Sequence, residues 1–538
     1  MSYILPKTSP AFVLDKQVIE TSAEQLNLLR EQAGCRVLYS IKSLPFKPLL
    51  HCLQPVVDGF SGGCRMVAQQ HVLISGKAIW QLSVSELSEQ LSSGSLMPTV
   101  LLESLLTRID TLNPKLNALV ALNPEARAEA EESEQRLLQG RSRSPLEGIP
   151  VAIKDNLNVR GMITSWGSHA FAEGPAASFD ELPVARLRAA GMVILGKTNV
   201  PEFTLEGYTD NPVYGVTRNP WNTELTPGGS SGGAVAAVAA GLAPCALGTD
   251  GGGSIRRPAS HTGLIGLKPS IGRIARHHGL PHIMLDFEVA GLITRTVSDA
   301  ELLYSVVALA DERDRNSLLV AEPEPEPTEA LRILYVPRFE DQPLDSEIAS
   351  SVDDAAARLR SLGHEVTEGA LPFSLDFIDA FWPMLGAVAV GALFERYPEA
   401  EQLAAAKWQT MAQSGRKISA PRYLEAIDGI DQFRRIVTEA YADFDIIMTP
   451  SAAALPWPAA QPYPDVIDGQ VVGPRGHALY TGWVNACGHP GLNLPSAASA
   501  SGLPIGFQLV GRFGSDRQLL RLGADYQAAL PGSWARAP

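Results

Sequence analysis

Two glycine-rich loops, each carrying serine, lie close together in the 538-residue sequence. The first is PGGSSGG with Ser230, and the second is GTDGGGSIRR with Ser254. Free N–H groups at a helix amino terminus favour negative charge, and consecutive glycines let backbone N–H groups approach a ligand closely. Together these features are typical of a nucleophile beside an oxyanion-binding site. Taken alone, either loop would favour a tight core turn with helix-capping serines.

The apolar segment between the loops predicts how the two serines meet. Residues 234–240 have the character of a short buried helix, and residues 244–248 that of a short buried strand. A helix of about ten residues and a returning strand of about five cover similar distances, so the chain comes back to its starting point. We therefore expect Ser230 and Ser254 at one end of a sheet.

A base for these serines is found upstream, at the end of an apolar strand. The segment GIPVAIKDN places Lys154 directly after buried-type residues. A lysine in this position often extends its ammonium to solvent. Burial, however, lowers a lysine pKa, and a neutral lysine can act as a general base. Because no His/Asp arrangement is evident, Lys154 with a serine relay would complete the site.

The remaining chain alternates strands and helices, which indicates βαβ units. The predicted fold class is α/β, with a large mixed, mostly parallel β-sheet flanked by helices on both faces. The predicted organisation is a small α/β appendage over residues 1–70, a catalytic domain over 71–538, an acidic Pro-rich linker over 322–329, and a helical insertion at about 375–440.

Composition excludes several classes of function. A net charge of −14 with 45% hydrophobic residues fits a soluble globular protein and argues against a nucleic-acid surface or a lipid anchor. The longest apolar run, residues 234–247, is too short to span a membrane. Five cysteines without a CxxC pair suggest reduced thiols in a cytoplasmic protein. No histidine spacing supports a metal site, and no cofactor is expected.

The motifs GIPVAIKDN, GKTNVPEF, NPWN, PGGSSGG and GTDGGGSIR occur in the order and at the spacing of the amidase signature family. The resemblance covers roughly residues 80–530. It implies that Lys154 is the base, that Ser230 is a bridging serine held by a cis peptide bond, and that Ser254 is the acyl-forming nucleophile. It also implies that an oxyanion hole is formed by the backbone N–H groups of Gly251, Gly252, Gly253 and Ser254. The side chains that would support this hole are those of Ser231, Asp250 and Arg256.

This resemblance implies hydrolysis of the carbon–nitrogen bond of a small-molecule amide, with no cofactor. The alternative is a glutamine-hydrolysing amidotransferase component that works with partner subunits, and a homodimer is one assembly compatible with the sequence. The sequence departs from the family at Gly251, often threonine or isoleucine, and at Leu292, usually proline. Apolar residues that would line an acyl pocket are Met162, Trp166, Tyr208, Tyr214, Phe377 and Trp382. A charged substrate would need an arginine that the sequence does not place.

A second, shorter resemblance covers residues 9–65. Their β-α-β pattern resembles the start of the fold-type III pyridoxal-phosphate decarboxylases, carboxynorspermidine decarboxylase in particular, in which a lysine at the position of Lys42 binds the cofactor. Because a barrel needs about 250 residues to close, a truncated, non-catalytic remnant is expected.

Two other motifs in the chain match known signatures by spacing alone. Residues 191–198, GMVILGKT, have the spacing of a phosphate-binding loop, but the strand lies inside the motif rather than before it. Residues 228–232, GGSSG, have the spacing of a nucleophile elbow, but turn-forming residues precede them where a strand is needed. We expect neither motif to have its usual role here.

Overall fold

The computed structural model describes residues 76–277, 279–281, 283–320 and 330–530, with the backbone of three short strands at 38–40, 59–61 and 73–74. The chain divides into two units, residues 1–78 and 79–538. Apart from the strands at 38–40 and 59–61, the predicted appendage over residues 1–70, with Lys42, lies outside the described residues, and so does the predicted acidic linker over 322–329.

The strands are short and most of them belong to the second unit. In chain order they are β1 Leu38–Ser40, β2 Gly59–Ser61, β3 Leu73–Ile74, β4 Lys77–Ala78, β5 Leu119–Leu122, β6 Pro150–Lys154, β7 Val193–Thr198, β8 Cys245–Asp250, β9 Ile265–Lys268, β10 Val289–Thr294, β11 Arg332–Tyr335, β12 Glu365–Glu368, β13 Ile446–Pro450, β14 Val466–Ile467, β15 Gln470–Val471, β16 Gly491–Pro495 and β17 Gly506–Gly511.

Eleven of these strands form one mixed sheet in the order β12-β11-β13-β17-β16-β9-β10-β8-β6-β7-β5. The predicted α/β class with a large mixed sheet is therefore confirmed. Parallel pairing occurs in two blocks, β12-β11-β13 and β8-β6-β7. The strands between the blocks, and β5 at the edge, pair antiparallel. Between the two parallel blocks, β16 and β17 are joined by residues 496–505 alone. This connection is too short for the helical crossover that parallel neighbours need, so the two strands run antiparallel.

Helices flank this sheet. In chain order they are α1 Val84–Ser92, α2 Pro98–Leu116, α3 Ala126–Leu138, α4 His169–Ala172, α5 Leu182–Ala189, α6 Gly232–Ala239, α7 Arg256–Thr262, α8 Val297–Val307, α9 Ser346–Ser361, α10 Asp376–Arg396, α11 Pro398–Leu403, α12 Ala406–Gly415, α13 Ala420–Ala440, α14 Gly482–Cys487 and α15 Asp516–Ala528. Helix α1 begins with a capping box, in which Ser83 and Glu86 satisfy each other's backbone N–H groups.

The segment predicted as a helical insertion contains α10 to α13. Helix α10 is the one helix of the described residues whose length and composition would let it cross a membrane, with a mean hydropathy of 1.7. It packs along α12, and its buried residues include Leu385, Val390 and Phe394. Packing against neighbouring helices therefore accounts for its apolar face.

The centre of the sheet holds the segment between the two serine loops. Every residue of α6 is buried, and this helix packs on β6, β7 and β8. Strand β8 then returns along the sheet with all its residues buried. The backbone N–H of Ser231, just before α6, donates to the carbonyl of Ser254, just after β8, at 3.1 Å. The predicted return of the chain is therefore confirmed.

Candidate active site

Lys154 ends strand β6 and is fully buried between β7 and β8. Its Nζ lies within hydrogen-bond distance of the Ser230 hydroxyl at 2.8 Å and of the Thr249 hydroxyl at 2.9 Å, and it donates to the carbonyl of Thr249 at 3.0 Å. Burial lowers the Lys154 pKa to about 7, although the carboxylates of Glu288 and Asp250 oppose this shift. A lysine with this pKa is largely neutral just above pH 7, where it can accept a proton.

The two serine loops are held against each other and against β8. The peptide bond between Gly229 and Ser230 is cis. The hydroxyl of Ser231 donates to the carbonyl of Thr249 at 3.1 Å, so the first loop is bound to the strand that leads into the second. Ser230 is 1% exposed and Ser254 is 7% exposed. Both hydroxyls therefore lie in a largely dry environment, where electrostatic interactions are stronger than in water.

Asp250 holds the second loop through its backbone. Its carboxylate accepts hydrogen bonds from the N–H of Gly253 at 2.6 Å and of Ile255 at 3.0 Å. It also pairs with the Arg256 guanidinium at 3.0 and 3.1 Å and accepts from the Asn485 amide at 3.0 Å. Burial would raise the Asp250 pKa, but the Arg256 charge and these hydrogen bonds hold it well below its usual range. Asp250 is thus a fixed anion that shapes the loop.

Arg256 connects this loop to distant parts of the chain. It is fully buried, and it donates to the side chain of Gln508 at 2.9 Å, to the side chain of Asn485 at 2.6 Å and to the carbonyl of Thr481 at 3.2 Å. Gln508 lies on β17 and Asn485 on α14. The shape of the Ser254 loop therefore depends on residues more than 200 positions further along the chain.

A charged network adjoins Lys154 through the hydroxyl of Thr249. The amide of Asn156 donates to Thr249 at 2.9 Å and to Glu288 at 3.0 Å. Arg276 bridges two carboxylates, Glu181 at 2.7 Å and Glu288 at 3.1 Å. Since Glu288 is the strongest charge acting to raise the Lys154 pKa, this network opposes the larger effect of burial on that pKa.

The second loop is open to solvent at Gly251 and Gly252, which are partly exposed, unlike Ser254. The Trp382 ring on α10 faces this opening, because a side chain on Gly252 would come within 2.8 Å of it. Trp382 also stacks on Phe287 with ring centroids 5.6 Å apart. An aromatic wall therefore borders the approach to Ser254.

Comparison with known proteins places this arrangement in a family. The Amidase family model matches residues 100–520. The chain belongs to the amidase family. As a member of this family it is an enzyme, a hydrolase acting on amides.

Two curated relatives and one solved structure illustrate the range of this family. A glutamyl-tRNA(Gln) amidotransferase subunit of Synechococcus sp. is 33% identical over 83% of this chain and 96% of its own length. A Mycobacterium bovis protein named as an amidase, AmiB2, is 36% identical over 83% of this chain and 96% of its own. The solved structure of 6-aminohexanoate cyclic dimer hydrolase is 29% identical, with a TM-score of 0.76, and covers 85% of this chain and 99% of its own.

These comparisons give no support to the decarboxylase resemblance. The match to the amidase family begins at residue 100, after residues 9–65. The phosphate-loop spacing at residues 191–198 is likewise incidental to this amidase, because Lys197 lies within strand β7 and pairs with Asp155 at 3.0 Å. A lysine held inside a strand cannot reach a phosphate as one at the start of a helix does.

Of the residues that the motifs single out, the structure brings together Lys154, Ser230, Ser231 and the Asp250–Arg256 pair. The N–H of Gly253, which was predicted to be an oxyanion donor, donates to the Asp250 carboxylate instead. Among the apolar candidates, Trp382 borders the opening, whereas Trp166 is 1% exposed and packs on Phe203 within an aromatic cluster.

Sequence reasoning missed several residues of the site. Thr249 and Asn156 each lie inside a recognised motif, so their positions carried a signal. Glu288 and Asn485 lie in segments without a motif, and only the folded chain brings them to Asn156 and Asp250.

Proposed function

We propose that this amidase hydrolyses a small-molecule amide to a carboxylate and an amine or ammonia through a serine acyl-enzyme. In this proposal Lys154 is the base, Ser230 relays the proton and Ser254 is the nucleophile. The observation that carries the proposal is the buried Lys154, with a pKa lowered to about 7 and its Nζ at 2.8 Å from the Ser230 hydroxyl. A nucleophilic serine needs such a base within hydrogen-bond reach.

In the first step the Ser254 hydroxyl oxygen attacks the carbonyl carbon of the amide. Its proton passes to the oxygen of Ser230, and the Ser230 proton passes to neutral Lys154. The products of this step are a tetrahedral intermediate with a negative oxygen and a protonated lysine.

The negative oxygen is stabilised by backbone N–H groups of the second loop. Gly251, Gly252 and Ser254 are the proposed donors. The N–H of Gly253 serves the loop itself, because it donates to Asp250. A donor held in place before the reaction needs no reorganisation when charge develops, and losing one typically costs about a hundredfold to a thousandfold in rate.

Collapse of the intermediate then breaks the carbon–nitrogen bond. Protonated Lys154 returns its proton through Ser230 to the leaving nitrogen, which departs as amine or ammonia. Water, deprotonated through the same relay, attacks the Ser254 ester and releases the carboxylate. The relay thus works as a base and then as an acid in each half of the cycle.

The experiment that tests this function is a panel of amides and esters assayed with the wild-type protein and with Ser254→Ala. We expect hydrolysis by the wild type and loss of it to near background in the variant. A fluorophosphonate probe should label Ser254, identified by mass spectrometry of the digested protein. Labelling of Ser230 would reverse the proposed roles of the two serines.

A second function is favoured by the relative from Synechococcus sp., which is named as one subunit of an amidotransferase. Under this alternative the chain releases ammonia from glutamine for partner subunits. Glutaminase activity, together with two partner proteins that co-purify with the chain, would establish it. Hydrolysis of simple amides by the isolated chain, without glutaminase activity, would exclude it.

A further inference from the structure

We propose that the substrate carries a carboxylate close to its scissile amide, and that Arg475, with Arg257 beside it, binds this carboxylate at the opening of the site. This inference rests on the proposed function and names the class of substrate. Arg257 donates to the carbonyl of Gly252, which precedes Ser254 by two positions, and Arg475 lies against Trp382, the ring that faces Gly252. Neither has an acidic partner among the described residues.

Arg475 is the first of these cations. Its guanidinium carbon lies 4.7 Å from the centroid of the Trp382 ring, the ring that faces Gly252. It is partly buried, and within the described parts of the chain it makes no hydrogen bond and no ion pair. The charge of Asp379, an exposed residue of α10, raises the Arg475 pKa, but the two groups lie too far apart to form an ion pair. Its hydrogen-bonding groups are therefore available to a ligand.

Arg257 is the second cation and is 6% exposed. One of its nitrogens donates to the carbonyl of Gly252 and, at 2.9 Å, to the hydroxyl of Thr481. Its Nε is buried and has no hydrogen-bond partner among the residues that the structure describes. Asp250 is the carboxylate whose charge raises the Arg257 pKa, but both of its oxygens already accept hydrogen bonds from Arg256.

The two guanidinium groups also repel each other, since the charge of Arg475 acts on Arg257. Burial lowers the pKa of each to about 10, so both remain charged at neutral pH. Burial keeps the pKa of His261 and of His477 below the usual value, so these nearby imidazoles are neutral and supply no opposite charge. Burying a charge without a partner is costly. An anion bound between the two groups would remove that cost.

The position of the cations identifies which part of the substrate is charged. Gly252 is separated from Ser254 by two peptide units, a span of at most about 7 Å. A substrate whose carbonyl lies at Ser254 would therefore reach Arg257, which contacts the Gly252 carbonyl, through a short alkyl chain, with Arg475 beside the neighbouring Trp382 ring. A planar guanidinium matches a carboxylate with two parallel hydrogen bonds. Monoamides of short dicarboxylic acids fit this description.

The first test measures binding without turnover. Glutarate is titrated into Ser254→Ala protein by calorimetry, and again into protein that also carries Arg475→Gln. We expect binding that weakens about tenfold to a hundredfold when the Arg475 charge is removed. Arg475→Lys should give an intermediate affinity, because it keeps the charge but not the fork of donors. Absence of glutarate binding, or equal binding with and without Arg475, would overturn the proposal.

The second test measures hydrolysis by the active protein. The monoamides of succinic, glutaric and adipic acid are compared with butanamide, pentanamide and hexanamide, their neutral counterparts. We expect the wild type to prefer the acid amides. Arg475→Gln should lower kcat/KM for the acid amides by about tenfold to a hundredfold, mainly through KM, and leave the neutral amides within about twofold.

The matched control is Arg127→Gln. It removes the same charge at an exposed ion pair with Glu103 and should leave the preference unchanged. If wild-type protein hydrolyses neutral amides as well as acid amides, the proposed function stands and this inference fails. If glutarate binds through Arg475 but no amide is hydrolysed and Ser254 takes no label, the carboxylate site stands and the proposed reaction fails. An equal loss for both amide classes in Arg475→Gln would show a structural role and overturn the inference.

Discussion

The side-chain nitrogen of Lys154 lies 2.8 Å from the hydroxyl oxygen of Ser230, and both residues are almost completely shielded from solvent. This contact joins strand β6 to the loop before α6, 76 positions further along the chain. A lysine without a carboxylate partner is costly to bury in its charged form. Its position beside a serine hydroxyl is explained if the neutral lysine is the form that accepts a proton in the reaction.

Replacing Lys154 by methionine should abolish most activity while keeping the buried volume. We expect kcat to fall by about a hundredfold to ten-thousandfold, the usual contribution of a positioned general base. Initial rates on any amide that the wild type hydrolyses would measure this. Lys268→Met is the matched control, since Lys268 is also fully buried but donates only to the carbonyls of Pro269 and His489. Near-wild-type activity of Lys154→Met would point to a different base.

The pH dependence of kcat/KM should report the Lys154 proton. Because the neutral lysine is the base, kcat/KM of the wild type should rise with pH through about 7. Burial sets this low pKa, and the Glu288 charge opposes it. Glu288→Gln should therefore move the midpoint to a lower pH. Glu224→Gln, an exposed control, should leave the midpoint in place. A midpoint that stays or rises in Glu288→Gln would contradict this assignment.

The same pKa shift should appear in the free energy of unfolding. The Lys154 pKa is about 7 in the folded protein and 10.5 for an unperturbed lysine. Between these values the unfolded chain binds more protons, so stability rises with pH, by up to about 1.4 kcal/mol per pH unit. Urea unfolding at several pH values would compare the wild type with Lys154→Met. The variant should lack this part of the slope, and parallel curves would refute a buried neutral lysine.

Two neighbouring glycines should differ sharply in their tolerance of a side chain. A Cβ on Gly251 would meet its nearest atom, in Glu288, at 3.4 Å, whereas one on Gly252 would lie 2.8 Å from Trp382. We expect Gly251→Ala to keep activity within about threefold and Gly252→Ala to lose at least about tenfold. Adding Trp382→Leu to Gly252→Ala should restore part of the loss. Equal effects at the two positions would count against this geometry.

The ion pair between Asp250 and Arg256 should matter mainly for stability. Asp250→Asn leaves the Arg256 charge buried without its partner, which we expect to cost about 3–5 kcal/mol in urea unfolding. Breaking the exposed pair of Glu103 and Arg127 with Glu103→Gln should cost no more than about 1 kcal/mol. If the two substitutions cost the same, the buried pair does not support the loop as described.

Much of the site could be predicted from short motifs. Ser230 and Ser254 lie on either side of one helix and one strand, so their meeting follows from the lengths of these two elements. Lys154 ends a strand of uniformly apolar residues, and β6 pairs directly with β8 in the sheet. Local patterns are informative here because each functional residue lies at the end of an element whose periodicity is clear.

Other features had no local signal. The antiparallel strands in the middle of the sheet have the same apolar character as the parallel ones, so pattern alone does not give their direction. The hydrogen-bond partner of the Gly253 N–H depends on the orientation of the Asp250 side chain. Arg475 lies in a segment without periodicity, and its place beside Trp382 requires α10 to be packed across the site.

By itself, then, the sequence determined the fold class, the family and the set of lysine and serine residues proposed for the chemistry. These follow from local motifs, each about ten residues long, and from the order of motifs and elements along the chain. Only the tertiary structure decided the charges around them: Glu288 and Asp250 near Lys154, the Arg256 bonds to Asn485 and Gln508, and two guanidinium groups at the opening that have no ion pair with any described residue. The physical reason is that electrostatic effects depend on distance in space and on burial. Both are set by packing between segments that lie hundreds of positions apart.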